Sequence, residues 1–220
     1  MLGIFCKLWD DVRRRLGAFR AVKGQLTCTD QPVSLQQPNM GKRCTGVIRD
    51  FNLLATTSRG SEDEACSELW YLLSEVGDSA PVVDKTGVAG LIAAKTAFNP
   101  FEVIEKFRHI LRERPYEFRY TLRIIPIEKV IRTDLGEIQR AAAELSAKIA
   151  LNESFRITVE KRFTETSTKD IIEAAASNIE RKVDLNNPDK ILLIEVIGGL
   201  TGLAVIRPND ILSVVKEKVL

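Results

Sequence analysis

The residues of this 220-residue chain with the plainest chemistry are cations in regular positions. Between Ile104 and Arg132 stand Lys106, Arg108, Arg112, Arg114, Arg119, Arg123, Lys129 and Arg132 against Glu105, Glu113, Glu117 and Glu128, a local net of +4 in a chain whose formal net charge is +2. Such a stretch reads equally as a solvated helix face or as a surface for phosphates. Further on, Lys161 and Arg162 close an alternating run. Lys169 falls in the first turn of the following helix, where backbone N–H groups could also hold a phosphate. Lys182 and Lys190 flank a turn at Asn186 to Asp189. Singly, each lysine reads as an ordinary solvated residue. Asp184, Asn187 and Asp189 read as turn formers that bond their own backbone, and Pro188 as structural. Adjacent strand positions point Lys161 and Arg162 to opposite faces unless the strand ends there. Arg162 has an alternative as the ion-pair partner of Glu160 or Glu165.

Constellations for catalysis are harder to write. There is no G-x-x-x-x-G-K-[ST] phosphate loop, and the glycines at 87–90 and 198–202 sit in hairpin turns rather than between a strand and a helix. His109, the single histidine, lies inside a helix, and Cys66 falls on a buried helix side, where a thiol packs rather than attacks. Cys6, Cys28, Cys44 and Cys66 form no C-x-x-C pair, so neither a zinc site nor a cofactor is expected. With no secretory signal, the expected compartment is the reducing cytoplasm. The apolar runs at 91–94 and 191–194 are far too short to cross a bilayer, so no membrane partner is expected. These readings favour a binding module over an enzyme.

The elements that must position the cations follow from periodicity. Residues 1–46 stand apart: Phe5, Trp9, Val12, Leu16 and Phe19 suggest a short amphipathic helix with Arg13, Arg14, Arg15 and Arg20 on its polar side, followed by a linker from Thr27 to Lys42. A strand is expected at Phe51–Ser58. Ser61 and Glu64 then form a capping box for a helix whose inner side is Cys66, Leu69, Trp70, Leu73 and Val76, ending at Gly77. Val82–Val83 and Val88–Ala94 form a hairpin. Asn99 caps a second helix with Pro100 at its first position and Phe101, Ile104, Phe107, His109, Ile110 and Leu111 inside. Phe118 to Val130 is one extended run. This strand-helix-strand-strand-helix-strand order is ferredoxin-like. Beyond it come a helix from Asp134 to Leu151, a strand alternating through Phe155, Ile157, Val159 and Phe163, and a helix from Thr168 to Arg181. Two strands joined at Gly198–Gly199 and a last helix capped by Asp210 complete the chain.

The run Phe155-Arg156-Ile157-Thr158-Val159-Glu160-Lys161-Arg162, the helix after it, and Val183-Asp184-Leu185-Asn186-Asn187-Pro188-Asp189 together resemble the THUMP domain. The unit before it, opening on Arg49-Asp50-Phe51-Asn52-Leu53-Leu54, resembles the ferredoxin-like domain that accompanies THUMP domains. The resemblance covers roughly Arg49 to Leu220 and implies an α+β protein: a flexible extension at 1–46, a ferredoxin-like domain at 47–132 and a THUMP domain at 133–220. Because the chain ends soon after the second unit, it looks like the stand-alone family of tRNA-acetylation adaptors. Those proteins present tRNA to a separate acetyltransferase that makes N4-acetylcytidine. The partners so implied are tRNA and that tRNA acetyltransferase, with Lys161, Arg162, Lys169, Lys182, Lys190, Arg119 and Arg123 as RNA contacts. Three alternatives stay open: an RNA-binding subunit of a methylating or thiolating enzyme, a catalytic RNA-modifying enzyme, and a subunit that uses the fold to bind protein.

Overall fold

The computed structural model describes residues 48–218. The amphipathic segment, the linker and Cys6, Cys28 and Cys44 lie outside the described residues. The elements are β1 (Leu53–Thr57), α1 (Glu62–Glu75), β2 (Val82–Lys85), β3 (Leu91–Lys95), α2 (Pro100–Glu113), β4 (Thr121–Pro126), β5 (Lys129–Arg132) and α3 (Leu135–Leu145). They continue with β6 (Ser154–Arg162), α4 (Thr168–Ala176), β7 (Lys182–Val183), β8 (Lys190–Ile197), β9 (Leu200–Ile206), β10 (Leu212–Ser213) and α5 (Val214–Glu217).

Two five-stranded sheets result. The first runs β10-β4-β1-β3-β2 and is antiparallel throughout. The second runs β5-β9-β8-β6-β7, with β6 parallel to both β7 and β8. Period-two alternation gives each sheet two apolar faces, and each face has its own cover. Leu53, Ala55, Ile92, Ala94 and Ile124 pack under Leu69, Leu72 and Leu73 of α1 and Val103, Ile104 and Phe107 of α2. Leu192, Ile194, Val196, Leu203 and Val205 pack under α3 and α4 through Ile138, Ala141, Ala142, Ile171 and Ala175. The opposite faces meet each other: Leu54, Ala93, Ile125 and Ile127 against Ile191, Leu193, Ala204 and Ile206. The described residues therefore stack in four layers, helices-sheet-sheet-helices. At Gly202 a Cβ would lie 3.1 Å from the side chain of Ile127 in the link between β4 and β5, which accounts for a glycine inside a buried strand.

Local signals were followed where they were backbone chemistry. Asn99 accepts from the Phe101 N–H, Pro100 opens α2, and Asp134 accepts from the Glu137 N–H. Gly77 follows α1 at φ +100°, as a helix stop requires. Gly198 at φ +58° turns β8 into β9.

Other expectations are corrected. Ser61 makes no side-chain cap; the neighbouring Glu62 carboxylate instead ties down the loops before the helix and before β3, accepting from Gly60 N–H at 2.9 Å and Gly90 N–H at 2.7 Å. Trp70 is exposed, because α1 buries Ala65, Cys66, Leu69, Leu72 and Leu73 and Trp70 falls on their flank. His109 points to solvent near Glu113 rather than inward. Phe118 to Val130 is two strands, not one: β4 serves the first sheet and β5 the second. The helix expected to reach Leu151 stops at Leu145, and the one expected to run from Thr168 to Arg181 opens at Thr168, capped by Ser167, but stops at Ala176. Phe163, expected inside, is exposed. Asp210 caps no helix; its carboxylate accepts from the Arg207 N–H, and α5 begins only at Val214.

Candidate nucleic-acid interface

The fold sorts the cations by strand register. In β6, Ile157 and Val159 face the helices, so Lys161, which stands opposite Val196, shares their face; Arg162, opposite Ile197, faces the first sheet. The strand runs regularly through Arg162, so the two do point apart. Lys161 is exposed and donates to the Thr166 carbonyl at 2.9 Å, three residues before Lys169. Lys169 is also exposed, with a Glu173 carboxylate 3.6 Å away, an exposed pair worth at most about 1 kcal/mol.

Arg162 differs from both. Its guanidinium donates at 2.9 Å to Glu195, which is only 1% exposed in the middle of β8. Neither Glu160 nor Glu165 is its partner. Burial pushes the Glu195 carboxyl above the ordinary carboxylate range; Arg162 opposes that shift, Glu160 adds to it, and Arg123 opposes it more weakly from across the sheets. Arg162 is thus the ion-pair partner of a buried carboxylate and has a structural task before any RNA arrives. The signal was present in the sequence: Glu195 is a lone acid within Ile191 to Ile197, and a buried charge demands a partner.

Lys182 and Lys190 lie at the other end of β6, opposite Ser154 and Phe155. At 3.3 Å per residue, that is about 20 Å from Lys161. The turn between them is held as expected at Asp184, which bonds its own backbone, whereas Asp189 reaches across to Ser154 on β6 instead. Asp184 accepts from the N–H groups of Asn186 and Asn187 at 2.9 and 3.0 Å, and Asp189 from Ser154 N–H and Oγ at 2.8 and 2.7 Å, while Pro188 is buried. The N–H groups of Asn187 and Asn186 lower the Asp184 pKa, and those donors on Ser154 lower that of Asp189. A lowered folded-state pKa gives stability that is present above the unfolded value and lost as pH falls through the folded one. The melting temperature should therefore decline on acidification below about pH 4. The Asp184→Asn/Asp189→Asn variant should melt lower near neutral pH and show a shallower acid limb. An unchanged limb would show that these carboxylates do not carry it.

The basic stretch at 104–132 is less cationic in space than in sequence, because the fold brings acids from elsewhere. Glu217 holds Arg108 at 2.9 Å, with Glu105 beside it; Glu75 holds Arg114 at 2.7 Å, and Glu144 pairs with Lys129. Arg119 directs its Nε to the Tyr116 carbonyl at 3.2 Å. What the arrangement can do is hold spaced cations on a rigid sheet, the requirement for reading a folded RNA through its phosphates. Among the described residues no cluster of His, Cys, Asp or Glu suited to a metal is present, and no helix is long and apolar enough to cross a membrane.

Residues 132–205 match the THUMP domain. The chain carries a THUMP domain. It is 36% identical over 96 residues to the THUMP domain-containing protein 1 homolog of Drosophila melanogaster, a match covering 40% of this chain and 30% of that relative. The chain therefore spans well under two thirds of the curated relative's length. The crystal structure of PH1313 from Pyrococcus horikoshii Ot3 shares the fold, with a TM-score of 0.56, 18% identity, and coverage of 72% of this chain and 55% of that one. The THUMP match contains Lys161, Arg162, Lys169, Lys182 and Lys190 and leaves Arg119 and Arg123 outside.

Proposed function

We propose that this chain is a non-catalytic tRNA-binding adaptor that presents tRNA in the cytoplasm to a separate acetyltransferase for N4-acetylcytidine formation. The observation that carries the RNA-binding part is the THUMP domain with Lys161 and Lys169 at one end of β6 and Lys182 and Lys190 at the other. The acetylation role draws on the resemblance to the stand-alone adaptors. In this reading the exposed lysines bind phosphates, with Arg119 and Arg123 supporting them from the neighbouring sheet and its approach loop. Arg162 acts mainly by holding Glu195 and the end of β6 in place.

Two measurements test it. The affinity for tRNA should fall with salt on a log-log slope of about −3 to −5, and Lys161→Ala should make the slope about one unit shallower. A slope near zero would remove the electrostatic basis. With labelled acetyl-CoA and tRNA, the chain alone should transfer no label, while adding it to a tRNA acetyltransferase should raise the yield. Transfer by the chain alone would make it an enzyme, and no stimulation would remove the adaptor role.

A further inference from the structure

Phe163 is the one residue other than glycine with positive φ among those described, at +55°. A bulky side chain adopts that conformation only at a cost. The usual compensation for a phenylalanine is burial, and Phe163 has none: it is 76% exposed. Folding gains little from this ring, and its backbone would be more relaxed as glycine. A residue that burdens the fold on two counts is explained if the ring is used by something outside it.

Its surroundings say what. Phe163 directly follows Lys161 and Arg162 and lies on the approach to Lys169. On its other side is the Gly198–Gly199 turn, whose Gly198 N–H donates to the Arg162 carbonyl at 2.8 Å. A Cβ on Gly198 would sit 4.0 Å from that of Phe163, and one on Gly199 would meet nothing, so the turn adds no bulk over this corner. The chain from Thr164 to Thr166 is polar, and a single ring among polar neighbours falls far short of the roughly 800 Å² per partner of a protein interface. An exposed flat ring two residues after Lys161 and six before Lys169, with Glu165 the one acid between it and Lys169, matches a different ligand. Every nucleobase has a face to stack, and the adjoining phosphates suit Lys161 and Lys169.

We infer that Phe163 is a stacking platform for an unpaired nucleobase, making this corner of the sheet a site for a single-stranded RNA segment. The inference deepens the RNA-binding reading and rests on it. It distinguishes this corner, which offers an aromatic ring beside its cations, from the Lys182 and Lys190 end, where the exposed apolar side chains, Val183 and Leu185, are aliphatic and offer no ring to stack.

The test uses the full chain and an RNA oligonucleotide with one 2-aminopurine, either single-stranded or within a duplex. Wild type should quench the single-stranded probe more strongly than the duplex probe. Phe163→Gly should abolish that quenching and weaken single-strand binding by roughly tenfold or more, the scale of one lost base-aromatic stack. Its melting temperature should not fall, since glycine adopts φ +55° freely, and Phe163→Trp should restore both signals. Undiminished binding and quenching in Phe163→Gly, with wild-type tRNA affinity intact, would overturn the platform alone. Failure of the wild-type chain to bind either probe or tRNA would instead overturn the RNA-binding reading beneath it.

Discussion

Arg162→Ala should lower stability by about 2 to 3 kcal/mol at neutral pH. Removing one partner of a fully buried ion pair typically costs about 3 to 5 kcal/mol, because the remaining charge is stranded in a medium that solvates it poorly. The lower figure applies because the Arg162 side chain is 30% exposed and Arg123 still opposes the charge. In a chain of this size that is a fall in melting temperature of roughly 5 to 10 °C. The pH dependence is a second signature. A carboxyl with a raised folded-state pKa contributes stability that is present below its unfolded value and lost as pH rises through the folded one. Arg162→Ala raises the Glu195 pKa further, so the deficit should be largest at neutral pH and shrink on acidification toward pH 5. Arg162→Ala/Glu195→Gln should recover most of the loss. Glu195→Gln alone should melt near wild type at neutral pH, since the desolvation cost that raises the Glu195 pKa disappears with its charge. A melting temperature unmoved by Arg162→Ala would mean that the pair is not structural, and Arg162 would return to the RNA-contact group with Lys161.

Ile125→Ala should be as damaging and should be felt in both sheets. Ile125 is 1% exposed and lies in the layer where the first sheet meets Ile191, Leu193, Ala204 and Ile206 of the second. Truncating a buried isoleucine costs about 2 to 5 kcal/mol, the lost transfer energy plus the cavity left behind. Since the layer belongs to both sheets, amide hydrogen exchange should show protection falling together in β1, β3 and β4 and in β8 and β9. Loss of protection confined to the first sheet would show that the sheets unfold independently and that their shared layer is not a common core.

What could be read from sequence divides by range. The helix caps at Asn99 and Asp134, the stop at Gly77 and the hairpin at Gly198–Gly199 were legible because each is set by a few neighbouring backbone groups. The apolar alternation of β6 was legible to Val159. Its extension to Phe163 was not, because alternation does not show where a strand stops and the backbone turns left-handed. Phe118 to Val130 looked continuous because an alternating pattern does not name the sheet it joins; pairing with β1 or with β9 decides that, and both partners are distant. The same limit of range applies to the candidate site. That Arg162 could be an ion-pair partner was legible, but its acid was sought among sequence neighbours, Glu160 and Glu165, whereas strand register places Glu195 beside it. Counting charge along 104–132 overstated the basic surface because Glu75, Glu144 and Glu217 lie outside that window.

The edge strand β10 has a consequence for synthesis. It completes the first sheet against β4, yet it is made from residues 212–213, about 85 residues after β4 leaves the ribosome. At 5 to 20 residues per second, β4 waits roughly 4 to 17 seconds with its outer N–H and C=O groups unpaired. An open edge of that kind invites pairing with another nascent chain. The first sheet cannot close until the segment containing the THUMP domain has been translated, so a strand made after that segment completes a sheet begun before it.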